Sequence, residues 1–238
     1  MKKKLTLVVT CIVLVAAMVI GGTLAYFTDK TDSAKNTFTM GNVRIMLDEA
    51  VVTKDGDKWT ASKTERTSDG NDYKSAYPGA VLPKDPTVHN TGNNDAYVRV
   101  KVTMTQGANA LYRWFPEEIK VVGLMPDVAY CNAFTKLVGG EFGDGWVLKK
   151  CDIGNELQFT LEYTNRLAVD AQTTPVFENL YIPATYDSYD GNGNYENFGE
   201  IELDIVAEAI QAAGFVDTVN DDGTTTTAME NAWAAFDA

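Results

Sequence analysis

Asp190, Asn192 and Asn194 recur at alternate positions, the spacing with which a calcium loop presents oxygen ligands to one ion. Two residues break the match. Tyr195 stands where that loop needs a glycine, and Ile201 stands where its twelfth-position carboxylate belongs. The stretch is therefore read as a hairpin loop, with Asp187, Asp190, Asn192, Asn194 and Glu196 as the oxygen donors that a Ca²⁺ ion would use. No other cofactor is implied. His89 is the single histidine of the chain and follows an apolar, strand-like stretch beside Asn90-Thr91-Gly92. With no second histidine for a metal and no Ser or Cys motif for a nucleophilic pair, it is read as structural. HExxH, GxSxG and phosphate-loop patterns are absent, so no catalytic residue is assigned. Cys131 and Cys151 have no CxxC partner to build a zinc site; a bridge between them and a pair of buried, reduced thiols stand as alternatives.

These side chains belong to an acidic chain of 238 residues with a net charge of -13. Such a surface repels phosphate backbones, which excludes nucleic acid as a partner. The length suffices for a full hydrophobic core without disulfide staples.

The elements that must position them are mostly strands. Val98, Val100, Val102 and Met104 alternate with polar residues through Ala96–Gln106, which puts the apolar set on one face of a sheet. Leu157–Tyr163 and Ile201–Glu208 alternate in the same way, and further strands are expected at Val43–Leu47, Thr87–His89, Glu118–Val122 and Val176–Pro183. Gly, Asn and Asp turns separate them: Lys54-Asp55-Gly56-Asp57, Ser68-Asp69-Gly70-Asn71, Tyr77-Pro78-Gly79 and Gly143-Asp144-Gly145. Many short strands without alternating long helices predict an all-β fold, an antiparallel jelly-roll-like β-sandwich. Met229, Ala232, Trp233 and Phe236 fall at helical spacing, so a short C-terminal helix is expected to dock on that sandwich.

The first residues carry a different pattern. A cationic head, Met1–Lys4, precedes the apolar run Leu5–Ile20 and the small residues Gly21-Gly22-Thr23-Leu24-Ala25, which is the order of a secretory signal peptide. An apolar run of about 16 residues is short of the roughly 20 that span a membrane. The cut is placed between Ala25 and Tyr26; an uncleaved N-terminal anchor is the alternative. Its removal takes away three lysines and no acid, leaving the remainder at -16. The organisation read from the chain is a signal peptide over 1–25, an N-terminal segment over 26–38, a sandwich over 39–212 and a polar tail with its helix over 213–238.

Gly21-Gly22-Thr23-Leu24-Ala25-Tyr26-Phe27-Thr28-Asp29, then Ser33-Ala34-Lys35-Asn36-Thr37-Phe38 and Gly41-Asn42-Val43, resembles the N-terminus of the TasA and camelysin family. Tyr77-Pro78-Gly79, Pro86–Gly92 and the strand Ala96–Val100 are similar to that family's early core, and Ala207–Ala212 with Ala232-Trp233 to its closing strand and tail. The stretch from about 110 to 155 has no counterpart and reads as an insertion. The resemblance implies export through a SipW-type signal peptidase and a secreted, cell-surface-associated protein of the biofilm matrix. It further implies jelly-roll subunits that join head to tail into fibres with copies of themselves and sibling matrix proteins, touching the membrane only through the uncut leader. The donor would be the segment Tyr26–Phe38, with Phe27 and Phe38 filling pockets of the next subunit; a solvated linker is the plain alternative.

Two other classes are carried. The camelysin resemblance also implies a secreted metallo-endopeptidase, for which one histidine and no zinc pattern would force a carboxylate-only site, better suited to Ca²⁺ or Mg²⁺ than to catalytic zinc. A surface adhesin or carbohydrate-binding module would use Tyr181, Tyr186, Tyr189 and Tyr195 as a sugar platform.

Overall fold

A computed structural model describes residues 42–121, 123–184 and 201–238. The sequence strands Val43–Leu47 and Ala96–Gln106 are both found. The first lengthens into β1 (Ile45–Asp55), which turns back as β2 (Lys58–Thr67). Asp55 pairs with Lys58 across a two-residue turn, and Gly56 holds φ 58° at its first position, the left-handed backbone that a Gly-first hairpin turn needs. The remaining strands are β3 (Val81–Pro83), β4 (Thr87–Asn90), β5 (Ala96–Met104), β6 (Trp146–Ile153), β7 (Leu157–Leu167), β8 (Asn179–Tyr181), β9 (Leu203–Gln211), β10 (Thr218–Val219) and β11 (Thr225–Thr226).

Among the described residues all pairings are antiparallel. One sheet has the order β2-β1-β4 and the other β6-β7-β5-β9, with β3-β8 and β10-β11 as short pairs. The all-β antiparallel sandwich read from the alternation is thus what the chain forms. Val98, Val100, Val102 and Met104 are wholly buried on the inner face of β5, against Val88 of the facing sheet and Phe159 and Leu161 of β7. The period of two along β5 also fixes its other face, where Tyr97 joins Ala212, Ala232 and Trp233 in a second, smaller core. That cluster seats the tail helix α4 (Ala228–Phe236) on the outer face of the four-stranded sheet. Thr227 Oγ1 accepts from the Glu230 amide and Glu230 Oε2 accepts from the Thr227 amide, a reciprocal cap that starts the helix.

Three helices, α1 (Gly107–Trp114), α2 (Pro116–Ile119) and α3 (Pro126–Leu137), fill much of the stretch that had no family counterpart. They correct the strand expected over Glu118–Val122: Ile119 ends α2, and Val122 lies outside the described residues. Pro116 at the first helical position and Glu117 and Glu118 in the first turn are helix-start chemistry, which a count of apolar residues passes over. α3 drives Phe134 into the core, stacked on Phe159 with ring centroids 3.9 Å apart and edge-on to Phe177. It stops at Gly139 and Gly140, both at positive φ, where the Gly140 amide reaches the Thr135 carbonyl at 2.7 Å. The strand expected over Val176–Pro183 shortens to β8, and β2 and β6 appear where none was read.

Candidate functional site: an open strand edge beside an apolar groove

Among the described residues β9 is an outer strand of the four-stranded sheet, and its ladder with β5 runs unbroken from Ala96–Gln211 to Met104–Leu203. The amide of Thr105 extends it to the carbonyl of Glu202 at 2.9 Å. β1 passes near β9 without forming a ladder to it. Unpaired N–H and C=O groups on a flat outer strand are a template for another strand unless bulges or charges blunt them. The other long outer strands are blunted. β6 bulges between Leu148 and Lys150 and carries Lys149, Lys150 and Asp152, and the β1-β2 ladder bulges between Ala50 and Val52.

Burial tells the same story. Leu203, Ile205, Ala207 and Ala209 of β9 pack against the core yet stay only partly covered, whereas Val98, Val100 and Val102 on the adjoining central strand are fully covered. Beside the start of β9 opens a groove of about 930 Å³. Leu82, Met104, Leu137, Leu180 and Leu203 give it apolar walls, and the 69–78 segment with Lys84 gives it a polar rim. Inside that rim Lys84 Nζ meets Glu49 Oε2 at 2.7 Å, both side chains being buried, while Asn71 Nδ2 donates to Glu49 Oε1 at 2.9 Å. The Tyr73 hydroxyl donates to the Pro83 carbonyl. Burial, with Glu49 and Asp85 nearby, pushes that phenol well above its ordinary range, so it stays a donor.

His89 stands at the other end of the facing sheet's short strand. β1 and β4 pair Met46 with His89, which puts Asp48 diagonally across on the same face, and His89 Nε2 lies 3.0 Å from Asp48 Oδ1. Arg66 of β2 holds the same oxygen at 2.6 Å and Asp85 Oδ2 at 2.9 Å. Burial alone would lower the Arg66 pKa, and the hydrogen bonds to Asp48 and Asp85 reverse that and raise it. The imidazole thus lies beside the Asp48, Arg66 and Asp85 cluster that ties β1, β2 and β4 together. Among the described residues no three His, Cys, Asp or Glu side chains converge as metal ligands would.

Of the residues singled out by sequence, the export junction Ala25–Tyr26, the donor residues Tyr26, Phe27 and Phe38, and the calcium donors Asp187, Asp190, Asn192, Asn194 and Glu196 lie outside the described residues. So do Tyr186, Tyr189 and Tyr195. Tyr181 is described, half-exposed, with its ring against Gly139, where an added Cβ would meet it at 2.5 Å. What the sequence reading missed is the β9 edge: alternation finds a strand but not its neighbours. The faint signal is composition, since Ile205-Val206-Ala207 is followed by Ala209-Ile210 with few charges between.

Among the described residues no helix is long and apolar enough to cross a membrane. No significant match appears among curated proteins or among solved structures. A family model described as camelysin metallo-endopeptidase matches residues 1–58, from the first residue to the start of β2. Over that N-terminal stretch the chain carries the camelysin-family pattern, in agreement with the resemblance read from the residues around Ala25 and Tyr26.

Proposed function

We propose that this chain is an extracellular structural subunit that assembles head to tail, the segment Tyr26–Phe38 of one copy adding a strand beside β9 of the next. The observation that carries it is the β9 edge, unbroken, without a bulge and only partly covered on its inward side. Strand addition draws affinity from main-chain hydrogen bonds and specificity from alternate side chains in pockets. The apolar groove beside the start of β9 offers room for Phe27 or Phe38. A donor on one end and an acceptor on the other give a heterologous contact, which propagates into a fibre when it does not close. On this reading a SipW-type signal peptidase cuts after Ala25 and frees the donor outside the cell, where sibling matrix proteins are the further partners. Filaments of residues 26–238 seen by electron microscopy, and their loss in residues 39–238, test it. Equal assembly of both forms would overturn the donor role.

The description of the matched family carries a second reading, a metallo-endopeptidase. With one histidine, and that one bound to Asp48, its metal would rest on carboxylates, a ligand set suited to Ca²⁺ or Mg²⁺ more than to catalytic zinc. Casein cleavage by homogeneous protein, abolished by a chelator, would favour this reading over the first.

A further inference from the structure

Helix α3 lies along the outer strand β6, and it brings together the two cysteines that follow the N-terminal apolar run. Cys131 is on α3 and half-exposed; Cys151 is on β6 and buried. Both thiols are free, and the packing of α3 on β6 sets them close enough for each to shift the other's ionisation. That proximity makes the pair unequal. The neighbouring Cys151 side chain draws the Cys131 thiol below its ordinary pKa, while Cys131 and the deeper burial of Cys151 push the Cys151 thiol up. The reachable sulfur is therefore also the one that ionises first, and the concealed sulfur is next to it.

We propose that Cys131 and Cys151 are a disulfide site that closes after export and pins the helical insertion to the four-stranded sheet. The oxidant is a disulfide of the extracytoplasmic thiol pool, protein-borne or of low molecular weight. The Cys131 thiolate attacks one of its sulfurs, forming a mixed disulfide and expelling one thiolate, which takes up the proton Cys131 released. Cys151 then gives up its proton, attacks the Cys131 sulfur, and expels the second thiolate, which takes that proton. Two protein thiols are oxidised to one disulfide and one oxidant disulfide is reduced to two thiols, so atoms and electrons balance. The bond closes a loop of about 20 residues, long enough for a crosslink to restrict the unfolded chain appreciably. The loop holds Phe134, the stacking partner of Phe159, and Leu137, which walls the groove. The bond would hold both in place whether or not the chain forms fibres.

The test uses the exported protein, incubated with glutathione disulfide, denatured without reductant and alkylated. Expected are a mass lower by two hydrogens, no alkylation of Cys131 or Cys151, and a peptide pair linking them. Reduction should lower the melting midpoint by roughly 5–10 °C. In Cys151→Ser the glutathione adduct should persist on Cys131; in Cys131→Ser the remaining thiol should resist modification until the protein unfolds. Alkylation of both cysteines after the oxidant, or a bond from either to a second chain, would overturn the site. Faster labelling of Cys151 than of Cys131 in the folded single variants would overturn the order of attack. Filament formation is read separately and bears on neither result.

Discussion

Arg99, in the middle of β5, and Asp237, just beyond α4, form a two-pronged ion pair with N–O distances of 2.8 and 2.5 Å. The same guanidinium takes Glu208 of β9 at 2.6 Å and lies 4.4 Å from the centre of the Trp233 ring. One buried side chain thus joins the central strand, the open strand and the tail helix. Planarity lets arginine do this: its fork meets a carboxylate with two bonds while its face rests on an aromatic ring.

Removing either partner should loosen the tail, by unequal amounts. Asp237 is half in solvent, so Asp237→Asn should cost only about 0.5–1 kcal/mol. Arg99→Ala leaves Glu208 without its partner at 2.6 Å and uncovers Trp233, and should cost roughly 3 kcal/mol. Urea unfolding followed by tryptophan fluorescence measures both.

Acid should release the tail helix ahead of the sandwich. Burial pushes the Glu208 carboxyl up, but hydrogen bonds from Lys101 and Arg99 outweigh it and hold the group below its ordinary 4.5. The Arg99 hydrogen bonds hold Asp237 below 3.8. Folded values under the unfolded ones mean stability that is fully present above 4.5 and lost as the pH falls through the lowered values. Near-ultraviolet circular dichroism should register this loss below pH 3.8, with a smaller change in Asp237→Asn.

Lys84→Met leaves the buried Glu49 carboxylate with Asn71 as its one donor among the described residues, and should cost about 3–5 kcal/mol. Replacing both partners, as Lys84→Met with Glu49→Leu, should recover most of that. A double variant no more stable than the single would count against a desolvation origin.

Gly143→Ala should be among the most damaging single-methyl changes, because its Cβ would lie 1.8 Å from the Pro175 carbonyl oxygen. Backbone sits on both sides of that approach, so a loss of at least 2 kcal/mol is expected in thermal unfolding.

On the proposed reading, copies that have lost residues 1–25 carry -16 each, and their assembly would work against like-charge repulsion. Raising the ionic strength should therefore shorten the lag before filaments scatter light. A synthetic peptide of residues 26–38 should cap the β9 edge and slow growth at every salt concentration; growth unaffected by the peptide would argue for another contact.

Much of this was legible in the residues themselves, because local spacing dictates local structure. The alternation of Val98, Val100, Val102 and Met104 fixed both a strand and the face it buries. Met229, Ala232, Trp233 and Phe236 gave the tail helix, and Thr227 with Glu230 could have given its first residue. The Gly21–Asp29 junction carried the family pattern. Short helices such as Pro116–Ile119 escaped because four residues hold too little periodicity to read.

What tertiary structure alone decided is adjacency. Nothing local says that, among the described residues, β9 pairs with β5 alone, that Arg99 reaches Asp237 across 138 positions, or that the helix carrying Cys131 packs on the strand carrying Cys151. Those relations depend on which strands pair and how layers pack, and they arise from summed burial over the whole core rather than from any one stretch of sequence. A strand's pattern records which way its side chains face, whereas an open edge is a property of the neighbour it lacks.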